Sequence, residues 1–153
     1  PSHLNTLLNV LDVPEPGNNT KIESVLHQMA ERINKRGLVI IISDLLDEPK
    51  NVLNGLKHFR HKKQEVILFH ILDRNELEFE FDNRTKFVDM ESDEEITTDP
   101  WHIKNDYKNL ILDIQKYYRR NCRLNKIDYV SLFTDDSLDK GLSEYFNKRQ
   151  RLG

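Results

Sequence analysis

The chain has few of the residues that mark many functional classes. One cysteine, Cys122, in 153 residues excludes an intrachain disulfide and a cysteine-type zinc site, and fits a reducing compartment. Its five glycines are not gathered into a phosphate-cradling loop, and no nucleophile elbow or Ser/His/Asp spacing appears. No apolar run approaches the roughly 18 residues of a membrane-spanning helix, and the first residues lack a signal-peptide pattern. The segment therefore reads as soluble and cytoplasmic, without membrane contact. With 23 basic and 26 acidic residues the net charge is −3, too little of either sign to hold nucleic acid.

What the sequence does contain is a series of periodic apolar blocks. Leu4, Leu7, Leu8 and Leu11 fall at helical spacing ahead of Pro14 and Pro16. Ile22, Val25, Leu26, Met29 and Ile33 form a second helical stripe, with Gly37 beyond it as a stop. Residues 38–42 are continuously apolar and of strand length, the pattern of a strand covered on both faces. Pro49 suits the first turn of a helix bearing Val52, Leu53, Leu56 and Phe59, and residues 65–72 read as a second buried strand.

Residues 77–81 alternate apolar and acidic side chains, and 82–84 turn that strand into a partner at 85–90. Residues 95–97 add a short third piece. Asp99 and Pro100 open the longest helix, with Ile103, Tyr107, Leu110, Ile111, Ile114 and Tyr118 on one face. Residues 127–133 are a third buried strand, and Leu138, Leu142, Tyr145 and Phe146 stripe a closing helix. This alternation predicts an α/β domain over residues 1–153. It has a mainly parallel sheet of about three strands and a small antiparallel hairpin inserted at about 77–98. Three strands are few for such a sheet.

Ligands of open α/β sheets bind outside the carboxyl ends of the strands. Asp44 closes the first strand at that edge, beside Ser43 and Asp47. Any of the three also serves as a cap for the helix at Pro49, and Asp47 is the best placed. Asp44 is left without a structural duty. Thr20 opens a Thr-x-x-Glu box with Glu23, a helix-start signature whose hydroxyl also suits a crevice. Asp73 and Asp135, after the second and third strands, are weaker candidates, and Asp136 or Ser137 reads as a cap.

His58 and His61 stand three apart beside basic residues, but no third metal ligand is in view. Cations at a helix carboxyl end are the plainer reading. In the run Tyr117-Tyr-Arg-Arg120, Tyr118 joins the apolar stripe and the arginines face away, so no nucleic-acid surface is expected. His70, within a buried strand, reads as a satisfied core histidine.

Three stretches together resemble one bacterial family: Asn18-Asn-Thr20, Arg36-Gly-Leu-Val-Ile-Ile-Ile-Ser-Asp-Leu-Leu-Asp-Glu-Pro49, and Val66-Ile-Leu-Phe-His-Ile-Leu-Asp-Arg-Asn-Glu-Leu-Glu-Phe-Glu-Phe81. They look like the carboxyl-terminal half of the "domain of unknown function 58" proteins, which contain a von Willebrand factor A-like domain. Residues 127–135 are similar to the family's end as well. The resemblance implies a partial von Willebrand factor A-like, Rossmann-type three-layer sandwich. It also implies a metal-ion-dependent adhesion site in which Thr20 and Asp44 match two ligands. The Asp-x-Ser-x-Ser motif that supplies the others is not in these residues. The chain is thus expected to be an amino-terminally truncated piece that binds metal weakly or not at all, with Mg²⁺ or Mn²⁺ held by the full-length protein.

The implied function is a non-enzymatic protein-interaction module acting with MoxR-type AAA+ ATPases in protein assembly or maturation. Truncation would leave strand 38–42 as a bare apolar edge, open to homodimer pairing. The alternative is an enzyme using Asp44 for phosphoryl transfer or metal-assisted hydrolysis. The Asp-x-Asp of haloacid-dehalogenase-like enzymes is absent, its place held by Ser43, Asp44 and Leu45.

Overall fold

The structure is a computed structural model that describes residues 22–75, 85–88, 95–98 and 100–152. In chain order its elements are α1 (Ile22–Arg32), β1 (Leu38–Ser43), α2 (Pro49–His61), β2 (Glu65–Leu72), β3 (Thr85–Val88), β4 (Glu95–Thr98), α3 (Pro100–Leu124), β5 (Asp128–Phe133) and α4 (Leu138–Leu152). The helix expected at 2–12, Thr20 and the strand and turn expected at 77–84 lie outside the described residues.

β1, β2 and β5 form a parallel sheet in the order β1-β2-β5. β3 and β4 form a separate antiparallel pair, with Phe87 opposite Ile96 in register. The expected parallel sheet and a separate antiparallel hairpin are both present, but the pair joins 85–88 to 95–98, the piece expected as a third strand, while 77–81, the expected partner of 85–90, lies outside the described residues.

Period-two alternation divides each strand of the main sheet between two layers. On one face Val39, Ile41, Val66, Leu68 and Tyr129 meet Leu26 and Ala30 of α1, Leu53 and Leu56 of α2, and Tyr118 and Cys122 of α3. On the other, Ile67, Phe69 and Leu132 meet Leu142 and Tyr145 of α4. The molecule is a mixed α/β sandwich with helices on both faces of a small parallel sheet. Arg149 fastens α4 to the amino ends of β2 and β5, where it pairs with Glu65 and stands 3.5 Å from Asp128.

β2 is buried along nearly its whole length because it lies in the middle. β5, at the far edge, buries Leu132 alone rather than its whole length. β1 departs from the two-faced cover that its composition suggests. As an edge strand it alternates exposed and half-buried residues, and Leu38, Ile40 and Ile42 all face outward. The cause is position in the sheet: α4 covers the other face over β2 and β5 and does not extend to β1.

Both of the helices that lead into β2 and β5 end without glycine. Lys63 after α2 and Lys126 after α3 take left-handed φ of 63° and 57°. In each case the next residue donates back across the last turn, Gln64 N–H to Phe59 O at 3.0 Å and Ile127 N–H to Cys122 O at 2.9 Å. These are Schellman endings with lysine where glycine is usual. Gly37, expected to stop α1, lies five residues past its end and has no left-handed φ. Its amide instead donates to the buried Gln64 side chain at 2.6 Å, and Gln64 donates on to Lys35 O at 2.9 Å. Gln64 thereby clasps the loop that feeds β1.

Candidate functional site at the carboxyl edge

Parallel pairing places the carboxyl ends of β1, β2 and β5 along one edge, so Asp44, Asp73 and Asp135 all sit there. The structure sorts them by what each carboxylate already holds. Asp73 accepts from Asn75 N–H at 2.7 Å and from the Thr134 hydroxyl at 3.3 Å, tying the ends of β2 and β5 together. Asp135 pairs with Arg74 Nε at 2.6 Å, and Asp136 takes the same guanidinium at 2.9 Å. The Asp135 carboxyl is held below its ordinary range chiefly by the hydrogen bond from Arg74. Arg74 also lies over the Phe133 ring, 4.6 Å from its centroid. These acids brace the edge.

Asp47 was expected to cap α2, and it does not. The residue before α2 is Glu48, and its side chain makes no capping hydrogen bond. Asp47 Oδ1 accepts from Glu48 N–H at 2.7 Å, while Oδ2 accepts from Ile22 N–H at 3.0 Å. It therefore binds the first amide of α1, a helix 25 positions away in sequence. Spacing along one segment cannot reveal such a cap, because the recipient comes from another element. Glu23, the second member of the Thr20 box, accepts from Asn54 of α2 at 3.4 Å.

Asp44 remains. Its carboxylate is exposed, and the Ser43 hydroxyl at 3.4 Å is its only side-chain hydrogen-bond partner among the described residues. Its main chain, by contrast, is fixed from three directions. Ser43 Oγ accepts from Leu45 N–H at 3.1 Å. Leu45 is buried in the core with φ of 57°, a conformation rare for a non-glycine residue. His70 Nε2 reaches the Asp44 carbonyl at 3.2 Å, and its Nδ1 meets the Tyr129 hydroxyl at 2.8 Å.

His70 is thus the satisfied core histidine that its strand position suggests. Nε2–H donates to the carbonyl, so Nδ1 accepts from Tyr129. Burial depresses its pKa, with the Asp44 carbonyl and carboxylate acting the other way. Tyr118 and Tyr129 stack beside it with centroids 6.0 Å apart. Burial pushes the Cys122 thiol, in the same core, up to about 12, which leaves it inert at neutral pH.

The edge is short of donors for a closed metal cage. Among the described residues no three His, Cys, Asp or Glu side chains converge on one point. Beside the turn, an open cavity of about 350 Å³ runs between the start of α2 and α3, lined by Glu48, Pro49, Lys50, Leu110, Asp113, Ile114 and Tyr117. None of the sequence candidates lines it.

A family model described as "Protein of unknown function DUF58" matches residues 1–116. The chain belongs to that family. Comparison with curated proteins and with solved structures returned no match. The DUF58 match covers α1 to the middle of α3, and so includes the Asp44 turn and both strands that hold it. Among the described residues no helix of this DUF58 chain is long and apolar enough to cross a membrane.

Proposed function

We propose that this DUF58 chain serves a non-enzymatic protein-interaction module of the cytoplasm, with Asp44 as its contact group. A partner, for which a MoxR-type AAA+ ATPase is the leading candidate, would meet the carboxyl edge through a shared Mg²⁺ or Mn²⁺ ion. Thr20 and Asp44 would be two of the ligands on this side. The observation that supports the reading is the exposed Asp44 carboxylate, held among the described residues by the Ser43 hydroxyl alone, on a main chain fixed by Ser43, Leu45 and His70. A structural cap would have its oxygens engaged, as those of Asp47 and Asp73 are.

The donor set fits such an ion only in part. One carboxylate and one hydroxyl are hard oxygen donors of the kind Mg²⁺ accepts, and the remaining positions go to water and to the partner. The chain alone is therefore expected to bind Mg²⁺ weakly. β1 supplies a second contact in the same reading. Its outer row Leu38, Ile40 and Ile42 and its margin, unpaired among the described residues, suit pairing with a second copy of the chain.

The test is capture of a purified MoxR-type ATPase on the immobilised chain, with Mg²⁺ or with EDTA. Retention should need Mg²⁺ and should vanish for Asp44→Ala, while Asp135→Asn, which loosens only the Arg74 brace, should keep it. Equal capture by Asp44→Ala would remove Asp44 from the interface. Turnover of a phosphate ester, abolished in Asp44→Asn, would favour the enzyme instead.

A further inference from the structure

A second group of titratable side chains lies away from the carboxyl edge, between α1 and α2. Gly55 of α2 faces Leu26 of α1 so closely that a Cβ there would stand 2.7 Å from the Leu26 Cβ. That close approach brings the neighbouring side chains together. His27 and His58 meet with their Nδ1 atoms 2.7 Å apart and their ring centroids 4.9 Å apart. Their far nitrogens face carboxylates, His58 Nε2 at 2.8 Å from Glu31 and His27 Nε2 at 3.8 Å from Glu23. Glu31 also accepts from Lys62 at 2.7 Å, and that hydrogen bond is the main reason its carboxyl lies below the ordinary range.

A carboxylate only accepts, so His58 donates to Glu31 from Nε2. A neutral His58 then turns the lone pair of Nδ1 toward His27. His27 has two ways to meet it: with a proton on its own Nδ1, or with its own lone pair once a cation stands between the rings. The second arrangement puts N–H on both far nitrogens, each opposite a carboxylate, which is how metal-bound histidines are usually oriented.

We propose that His27 and His58 bind a late transition-metal dication (Cu²⁺, Ni²⁺ or Zn²⁺) through their Nδ1 atoms, stapling α1 to α2. Tetrahedral bonds of about 2.0–2.1 Å place two ligating nitrogens about 3.3 Å apart, so the Nδ1 atoms part by roughly 0.6 Å from their 2.7 Å contact. Both side chains are partly exposed, at 42% and 23%, so water completes the shell. No third His, Cys, Asp or Glu among the described residues joins them. From the neutral pair the His27 proton moves from Nδ1 to Nε2 and none is released; from the singly protonated pair one proton leaves to solvent. Imidazole donors favour these ions over Mg²⁺, which separates this site from the Asp44 edge.

Calorimetric titration of the whole chain with Cu²⁺, Ni²⁺, Zn²⁺ and Mg²⁺ at neutral pH tests the proposal, with thermal melts alongside. One transition-metal ion per chain should bind, Cu²⁺ the tightest, and should raise Tm, while Mg²⁺ leaves the histidines untouched. Affinity should fall at least about tenfold in His27→Ala and in His58→Ala, and the Tm rise should disappear. His58→Gln keeps a donor for Glu31 but no imidazole, and should lose binding while keeping the metal-free Tm. His61→Ala, altering an exposed histidine on the same helix, should bind as the parent does. Undiminished affinity in the double variant His27→Ala/His58→Ala, equal loss in His61→Ala, or no saturable binding by the parent would overturn the site.

Discussion

Asp44 and Asp47 lie three residues apart in one loop, yet their oxygens have opposite fates. Among the described residues, Asp47 is consumed by two amides and Asp44 holds only a neighbouring hydroxyl. The group that connects Asp44 to the core is His70, which carries a testable pH signature. Its pKa is depressed by burial in the folded chain, so the unfolded chain takes up the proton first. His70 therefore has no effect on stability well above its ordinary pKa of about 6.5. It lowers stability as the pH falls from there toward the depressed native value. Glu31 and Asp135 are shifted down from 4.5 and 3.8, so they act only at more acid pH. Urea unfolding at about pH 7.5 and about pH 5.5 should show a smaller acid loss for His70→Gln than for the parent. Equal losses would place the titrating group elsewhere.

Among the elements, the α1–α2 pair depends on a residue with no side chain. Alanine at position 55 would gain about 1 kcal/mol of helix propensity. It would also drive its Cβ to 2.7 Å from the Leu26 Cβ, an atom that cannot swing aside. Overpacking of this kind typically costs about 1–3 kcal/mol, so the clash wins. Gly55→Ala should lower the urea midpoint, and because His27 and His58 flank the contact it should also weaken metal binding between them. An unchanged or raised midpoint would mean that the helices separate without penalty. The partner that gives Gly55 its purpose is 29 residues upstream.

For the whole molecule, the proposed pairing through the edge strand β1 is open to test. Leu38, Ile40 and Ile42 are 48%, 47% and 67% exposed, a contiguous row on a strand whose outer edge no other described strand pairs. Pairing two such edges should give a dimer that forms with rising concentration, seen by light scattering. Ile40→Lys, which places a charge in the exposed row, should shift the chain to monomer without unfolding it. A parent that stays monomeric across micromolar concentrations would count against the edge as an interface.

Most of the fold was legible because strands and helices announce themselves by local period. The runs at 38–42, 65–72 and 127–133 became the three parallel strands, and Val52, Leu53, Leu56 and Phe59 all became core. The candidate site was less legible. Sequence could place Asp44, Asp73 and Asp135 at strand ends, but it could not say which carboxylate was already engaged. Arg74 reaches Asp135 and Thr134 reaches Asp73 from positions remote in the chain, just as the start of α1 reaches Asp47. The His27–His58 contact left no local signal at all, since its members lie 31 residues apart on different helices.

By itself the sequence determined which segments alternate, where their apolar faces run and that the carboxyl ends of the strands would carry acids. These are properties of neighbours along the chain, set by side-chain periodicity. Tertiary structure alone decided that β1 stands at the margin, that Asp47 caps a foreign helix and that two histidines touch. Each of those depends on which surfaces meet once the sheet and helices have packed, and packing joins residues that no local pattern relates.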